Sequence, residues 1–424
     1  MRSSAEMPYH IGLKIKLYPS DKQKHIIAVN GGAKRAVYNH LVACSNEIYS
    51  LKKSSQSVPV YARRMDFLRF VSKNAKNIKN ALPHLYGEDV DDQTIANAIR
   101  NYRRAWKNQK ELHTGVPTFK KKSYEQSYQT NAHYYSDKNG NMTSNVRFED
   151  LKHVTLPKLG RIRFGGSPKP VASLMGRDSD TRIGSICISR DSVGEYWASF
   201  QISSEGPFRE PLPKTGAMQG IDLNLIDLVN GSDGEASENR KYYATAQKAL
   251  AKSQRKQSRM AEHAKAKGRK LLESSNYQKQ RRKTAYLHRK VERQRTDYLH
   301  NLSKEKVENQ DFIAAEDLKV RNMIKNHRLA KAIADASWRK LLTMLQYKGE
   351  LYGKTVILVP PKNTTQTCSC CGYVMKGAEH LTLDIREWEC PNCHTFHVRD
   401  TNAAINILNR GLQVAKERGL VQIQ

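Results

Sequence analysis

Cys390-Pro391-Asn392-Cys393-His394-Thr395-Phe396-His397-Val398-Arg399-Asp400-Thr401-Asn402-Ala403-Ala404 is the stretch on which the reading of this chain turns. It begins as a Cys-x2-Cys knuckle and ends in the first turn of a helix. Ala404, Ile407, Leu408 and Leu412 recur at helical spacing over residues 401–414. A second knuckle, Cys368-x2-Cys371, precedes it with 18 residues between the pairs. Two such pairs can bring four thiolates to one tetrahedral Zn²⁺. Gly372 and Pro391-Asn392 suit the tight turns. Cys370, His394 and His397 lie close enough to compete with a ligand or replace one. Four protein ligands leave no open coordination position, so one structural zinc is expected, holding a loop whose own core is too small to fold.

Working outward, Asp400 at the helix start has two counterparts upstream. Glu316 ends the apolar run Phe312-Ile313-Ala314-Ala315, and Asp222 lies inside Gln219-Gly220-Ile221-Asp222-Leu223. An acid within an apolar strand costs several kcal/mol unless it is paired or binds a metal. Each alone has an ordinary explanation: a buried partner for Asp222, a helix cap for Glu316, a simple N-cap for Asp400. Together they place carboxylates on two strands and a helix N-terminus. Such a set can hold two Mg²⁺ ions about 4 Å apart, one activating a water and the other stabilising the leaving oxygen in phosphodiester hydrolysis. A third apolar strand, Thr355 to Val359, closes at Pro360-Pro361.

The charge says what such a site would act on. Among 424 residues, Lys and Arg number 72 and Asp and Glu 41, a net charge of +31. A surplus of this size calls for a polyanion, and nucleic acid is the first choice. No apolar run approaches the roughly 18 residues of a membrane span, and Met1 to Ser20 lacks the form of a signal peptide. Five of the seven cysteines fall between Cys368 and Cys393, which points to a metal site in a reducing compartment, not a disulfide framework. Residues 240–295 hold 19 Lys or Arg against 3 Glu in a helical pattern broken near Gly268 and Ser274, so a basic helical hairpin over about 240–305 is expected.

In the N-terminal half, Ile11 to Leu17 alternates as a half-buried strand, and Ser20 can cap the helix after it. Residues 21–130 read as mostly helical. On the helix at 93–111, Arg100, Arg103, Arg104 and Lys107 form a basic stripe beside Ile95, Ile99, Tyr102 and Trp106. Lys120, Lys121 and Lys122 follow with Phe119, Tyr124 and Tyr128 near them, a mixture that suits phosphates and stacked bases. Residues 131–215 switch to strands, so a small β domain is expected, with the N-terminal strand as its first member and the helical block inserted. Pro211, Pro213 and Gly216 mark a linker.

These residues resemble TnpB, the transposon-encoded RNA-guided DNA endonuclease family ancestral to type V CRISPR effectors. The resemblance spans nearly the whole chain. It rests on Gly32-Ala33-Lys34-Arg35-Ala36-Val37-Tyr38-Asn39, Gly115 to Lys122, Leu156 to Gly160, Gly220-Ile221-Asp222, Ala315-Glu316-Asp317-Leu318, the paired knuckles and Arg399-Asp400-Thr401-Asn402-Ala403-Ala404-Ile405-Asn406. It implies a multidomain α+β protein: a RuvC-like nuclease of the RNase H fold with an inserted four-Cys zinc knuckle, a β-barrel wedge domain and a helical recognition domain. The expected boundaries are 1–20 and 131–215 for the wedge, 21–130 for recognition, 216–366 and 398–424 for the nuclease, and 367–397 for zinc. Asp222, Glu316 and Asp400 become the catalytic, Mg²⁺-binding acids. The partners become a guide RNA from the transposon end, with one protein per RNA, and double-stranded DNA bearing a short motif read by the protein. Readers of that motif are placed around Asp92 to Asn97 and Ser127 to Asn131, which adds Gln93, Asn97, Tyr128 and Thr130 to the nucleic-acid contacts. The resemblance also implies a prokaryotic, cytoplasmic, nucleoid-associated setting.

Two departures stand out. Asn224 replaces a glycine common two residues after the first acid, and Val398 replaces a polar residue two before the last. Activity is expected to survive both, since the three acids are intact. The alternatives are an RNA-guided repressor that binds without cutting and a transposase that joins DNA ends. Loss of an acid would favour the first. The knuckles between Glu316 and Asp400, and the charge load, weigh against the second.

Overall fold

The computed structural model describes residues 4, 6–54, 59–136, 140, 142–177, 181–382 and 384–420. Residues 1–3 and 421–424, at the ends of the first and last expected segments, lie outside the described residues. The chain divides into two compact units, Met1–Phe208 and Arg209–Gln424. Among the described residues no helix is long and apolar enough to cross a membrane.

In the first unit, β1 (Tyr9–Tyr18) leads into α1 (Asp21–Lys53), α2 (Pro59–Ser72), α3 (Ala75–Ala81) and α4 (Asp92–Leu112). Then come β2 (Gln126–Asn131), β3 (Tyr134–Ser136), β4 (Met142–Ser144), β5 (Arg147–Phe148), β6 (His153–Leu156), β7 (Gly160–Gly165), α5 (Lys169–Met175), β8 (Thr181–Arg190) and β9 (Tyr196–Ser204). A seven-stranded sheet runs β2-β8-β9-β1-β7-β6-β5. β1 lies inside it, paired with β9 from Tyr9↔Ser204 to Leu17↔Tyr196, so the helices that follow β1 are an excursion between two strands of one sheet. Ser20 caps α1 in a reciprocal capping box with Gln23. Ile15 and Leu17 enter one core with Ile26 and Ile27 of α1, while later turns of α1, through Ala33, Val37 and Leu41, pack on α3 and α4.

Two expectations are corrected here. The sheet is open, not a closed barrel, because its end strands β2 and β5 do not pair. The edge of β2 is already occupied: Asn97 Nδ2 and Thr94 Oγ1 of α4 donate to Gln129 O at 3.1 and 3.4 Å. β5 has only two residues to offer. The helices also stop at Leu112, where His113 takes a left-handed conformation, and residues 126–131 form a strand. Its inward side chains, Tyr128 and Thr130, alternate with period two in a segment too short and polar to announce itself.

In the second unit, β10 (Met218–Asp222), β11 (Asp227–Gly231) and β12 (Ala236–Glu238) precede the long helices α6 (Tyr242–Ala266) and α7 (Ser275–Asn309). β13 (Phe312–Glu316), α8 (Val320–Met323), α9 (Ala330–Ala336), α10 (Trp338–Tyr352) and β14 (Thr355–Val359) follow. β15 (Glu387–Glu389), β16 (Phe396–Val398) and α11 (Arg399–Glu417) complete the unit. The five-stranded sheet runs β12-β11-β10-β13-β14. β10 to β12 are antiparallel, while β13 lies parallel to both β10 and β14. Both faces are covered. Phe312 and Ala314 of β13 pack with Ile407 and Ala415 of α11, and Ile313 and Ala315 pack with α7 and α10. Burial on both sides is why β13 reads as an unbroken apolar run.

α6 and α7 join along a polar seam in which Gln280 donates to Ser253 Oγ at 2.9 Å and Ser253 bonds Thr284 at 2.9 Å. Arg255, Lys256, Arg259, Arg282, Lys283 and Lys290 remain exposed.

α11 crosses the sheet where glycine lets it. A Cβ on Gly220 would stand 1.9 Å from Ala404 O, and one on Gly411 would stand 2.4 Å from Ala314 Cβ. Backbone cannot yield as a side-chain tip can. Gly220→Ala is therefore expected to destabilise the protein by at least about 1–3 kcal/mol. Gly115→Ala, with nothing within 4 Å, is the control in thermal melts.

Candidate active site and metal centre

Ile221 of β10 pairs with Ala315 of β13 in parallel register. The next residues, Asp222 and Glu316, therefore leave adjacent strands at the same end. α11 lies on β10 through the Gly220–Ala404 contact, and Asp400 stands one helical turn before Ala404. The structure thus brings together three acids separated by up to 178 residues in sequence.

Their electrostatics are those of crowded anions. Asp222 is pushed up to about 7, first by burial and then by the charges of Glu316 and Asp400, against the opposing effects of Arg399 and Asn224. Burial also raises Glu316, whose Oε1 accepts from Thr364 Oγ1 at 2.6 Å and which feels the charge of Arg410. Asp400 Oδ2 accepts from Asn224 Nδ2 at 3.2 Å and from Arg386 at 3.4 Å. Like charges gathered at a strand end fit a divalent cation, which would remove the repulsion.

The second centre is the cysteine cluster. The sulfurs of Cys368, Cys371, Cys390 and Cys393 all lie within 4.8 Å of one another, so the cluster could hold a metal ion. Cys368–Cys393 and Cys371–Cys390 are each 3.7 Å, near the roughly 3.8 Å edge of a tetrahedron with metal–sulfur bonds of about 2.3 Å. Among the described residues no other group of three or more His, Cys, Asp or Glu brings its ligand atoms so close. The three acids stand further apart. Cys370 is exposed and outside the cluster. His397 is buried, with Nε2 3.1 Å from Cys368 Sγ and its ring 4.5 Å from that of Trp388, so it braces a sulfur and does not replace one. His394 turns outward to Glu389.

The residues expected to touch nucleic acid divide in two. Arg100, Arg103, Arg104, Lys120, Lys121 and Lys122 are exposed. Lys120 Nζ stands 5.2 Å over the ring of Tyr38. Tyr128, Thr130 and Asn97, by contrast, are buried. Gln93 is half-buried and accepts from Asn131 at 3.0 Å, while Asn97 bonds Gln129 O and Asn131. This amide network fastens α4 to β2. Sequence reasoning missed the roles of Thr364 and Arg386, which no spacing marks. It noticed Asn224 only as a departure.

Three family models match: "Helix-turn-helix domain" over residues 7–54, "Probable transposase" over 199–327 and "Cas12f1-like, TNB domain" over 338–407. Over the first of these the structure has one strand and one continuous helix. A Streptomyces pristinaespiralis protein named "Putative RNA-guided DNA endonuclease" is 31% identical over 401 residues, covering 94% of this chain and 89% of the relative. InsQ of Escherichia coli K12, similarly named, is 28% identical over 424 residues, covering 96% and 94%. Shorter stretches match proteins named TnpB-like. The solved Cas12f1–sgRNA–target DNA complex shares the fold at a TM-score of 0.53 and 12% identity, over 95% of this chain and 99% of the other. Identity at the first of these levels along nearly the full length, with its acids and paired cysteines brought together in one unit, reflects common descent, and the chain belongs to the TnpB family.

Proposed function

We propose that this protein is an RNA-guided endonuclease that cuts double-stranded DNA beside a short motif, at one RuvC-like site held by Asp222, Glu316 and Asp400. The observation that carries the reading is the convergence of these acids at one end of β10, β13 and α11, with Asp222 driven up to about 7 by burial and then by the charges of its neighbours. The strand order, three antiparallel strands followed by two parallel to the first, supports the RNase H-like assignment. Mg²⁺ bound there would supply an activated water and neutralise charge on the leaving oxygen. The protein's own part is to hold the carboxylates against their repulsion, with Thr364 orienting Glu316 and Asn224 and Arg386 engaging Asp400. The cysteine cluster takes one structural Zn²⁺, since four thiolates leave no position for substrate.

The exposed basic faces of α6–α7 and of α4 with Lys120 to Lys122 would hold a guide RNA from the transposon end and its heteroduplex with target DNA. The test is purification under gentle lysis. An RNA of defined sequence should copurify, and with Mg²⁺ the complex should cut a matched duplex and spare a mismatched one. Its affinity should fall steeply with salt. A joining transposase would purify without a defined RNA and would link DNA ends.

The carboxyl of Asp222 also predicts a pH dependence. Its folded value, about 7, lies above the ordinary 3.8. Stability from the neutral form is therefore present at low pH and lost as pH rises through 7. The melting-temperature rise caused by Mg²⁺ should be larger at pH 8 than at pH 6, and Asp222→Asn should flatten that difference. Equal shifts at both pH values in the unmodified protein would refute the coupling.

A further inference from the structure

Asn224 lies two residues beyond Asp222, at the mouth of the site. Its side-chain oxygen accepts from the backbone N–H of Ile226 at 3.0 Å and of Asp227 at 2.9 Å. Two backbone donors fix which end of the amide is oxygen, so the nitrogen must point the other way. There it donates to Asp400 Oδ2 at 3.2 Å, and it stands near enough to Asp222 to favour that carboxyl's charged form.

We propose that Asn224 is a positioning residue that ties the turn after β10, two residues from Asp222, to the acid of α11 and so sets the site's affinity for its divalent cation. The proposal rests on the reading of the three acids as metal ligands. Carboxylates that must converge on a cation repel one another without it, and a helix packed on a sheet by van der Waals contact alone would let them part. A neutral amide with two donor hydrogens and an anchored oxygen opposes this without adding a charge or a competing anionic ligand. Glycine at the same position offers neither donor nor anchor.

The test separates the donor from the turn. In Asn224→Ser the hydroxyl can still accept from the backbone N–H groups of the turn, but it is too short to reach Asp400. Asn224→Gly loses both. Full-length protein is titrated with Mg²⁺ alone, and the melting temperature is followed without nucleic acid. In parallel, the RNA-loaded protein is assayed for the Mg²⁺ concentration giving half-maximal cutting. Both variants should need about tenfold more Mg²⁺ in both measurements, with cutting recovering as Mg²⁺ is raised. If Asn224→Ser matches the unmodified protein in both titrations while Asn224→Gly does not, Asn224 merely shapes the turn and the proposal fails. Asp222→Ala serves as the separate control. If it cuts, or if its Mg²⁺-induced melting shift equals that of the unmodified protein, the underlying assignment of the acids is what has failed.

Discussion

Asp222→Ala protein, loaded with its guide RNA, is expected to bind the matched DNA within a few-fold of the unmodified affinity and to cut it at least about 10³-fold more slowly. The separation follows from placement. Asp222 sits at a strand end with Glu316 beside it and Asp400 within electrostatic reach, while the exposed lysines and arginines that suit phosphates lie on α4, α6, α7 and the 120–122 loop. Removing one carboxylate only raises the net charge from +31 to +32, so phosphate affinity should hardly change. What disappears is a carboxylate that on the proposed reading would hold the cation, and two carboxylates would not do the work of three. The same variant should melt at a higher temperature than the unmodified protein when Mg²⁺ is absent, because burial and repulsion disfavour the charge at this position. A protein that is steadier without its acid and inactive without it shows the usual trade between stability and function. Cutting at the unmodified rate would remove Asp222 from the mechanism.

Much of this site is legible in the amino-acid sequence alone. An acid ending an apolar strand is energetically conspicuous, and Phe312 to Glu316 shows it in five residues. Cys-x2-Cys pairs disclose a four-cysteine cluster because knuckle geometry is local. What the sequence hides depends on distant partners. Tyr128 and Thr130 look like polar and aromatic residues available to a ligand. They are buried because β2 pairs with β8, whose residues lie about 60 positions further along the chain, from Gln126↔Arg190 to Asn131↔Ser185. The open edge of the sheet has the same origin, since only the docking of Thr94 and Asn97 on Gln129 O shows that the β2 edge is taken. Asn224 is an intermediate case. Its type is visibly unusual, but its use depends on α11, which begins 175 residues later.

The cysteine cluster should matter to cutting even though none of its sulfurs touches the acids. Asn402 and Asn406 are both buried on α11, the helix that starts with Asp400. Asn402 accepts from Ser369 N and donates to Thr367 O, each at 2.8 Å. Asn406 donates to Thr364 O at 2.9 Å and to Thr367 O at 2.6 Å. Thr364 in turn orients Glu316. The entry to the first knuckle is therefore fastened both to the helix of one acid and to the side chain of another. Among the described residues, the apolar core of the segment that makes this connection is Met375, Leu381 and Trp388 with Cys368 and Cys390, and Tyr373 and Cys393 pack against it. So small a core does not order a segment of some thirty residues without a metal, and structural zinc contributes on the order of 10 kcal/mol in comparable knuckles. Cys390 is fully buried, and Cys390→Ser should abolish the single equivalent of bound zinc. Backbone hydrogen exchange should then quicken across residues 364–402 while the strands β10, β13 and β14 stay protected. Cutting should fall at least about tenfold at Mg²⁺ concentrations that saturate the unmodified protein, through loss of the fixed positions of Glu316 and Asp400. If zinc is lost, exchange rises only within residues 367–398 and cutting is unaffected, the asparagine links do not transmit order to the site, and the knuckles serve another end of the molecule.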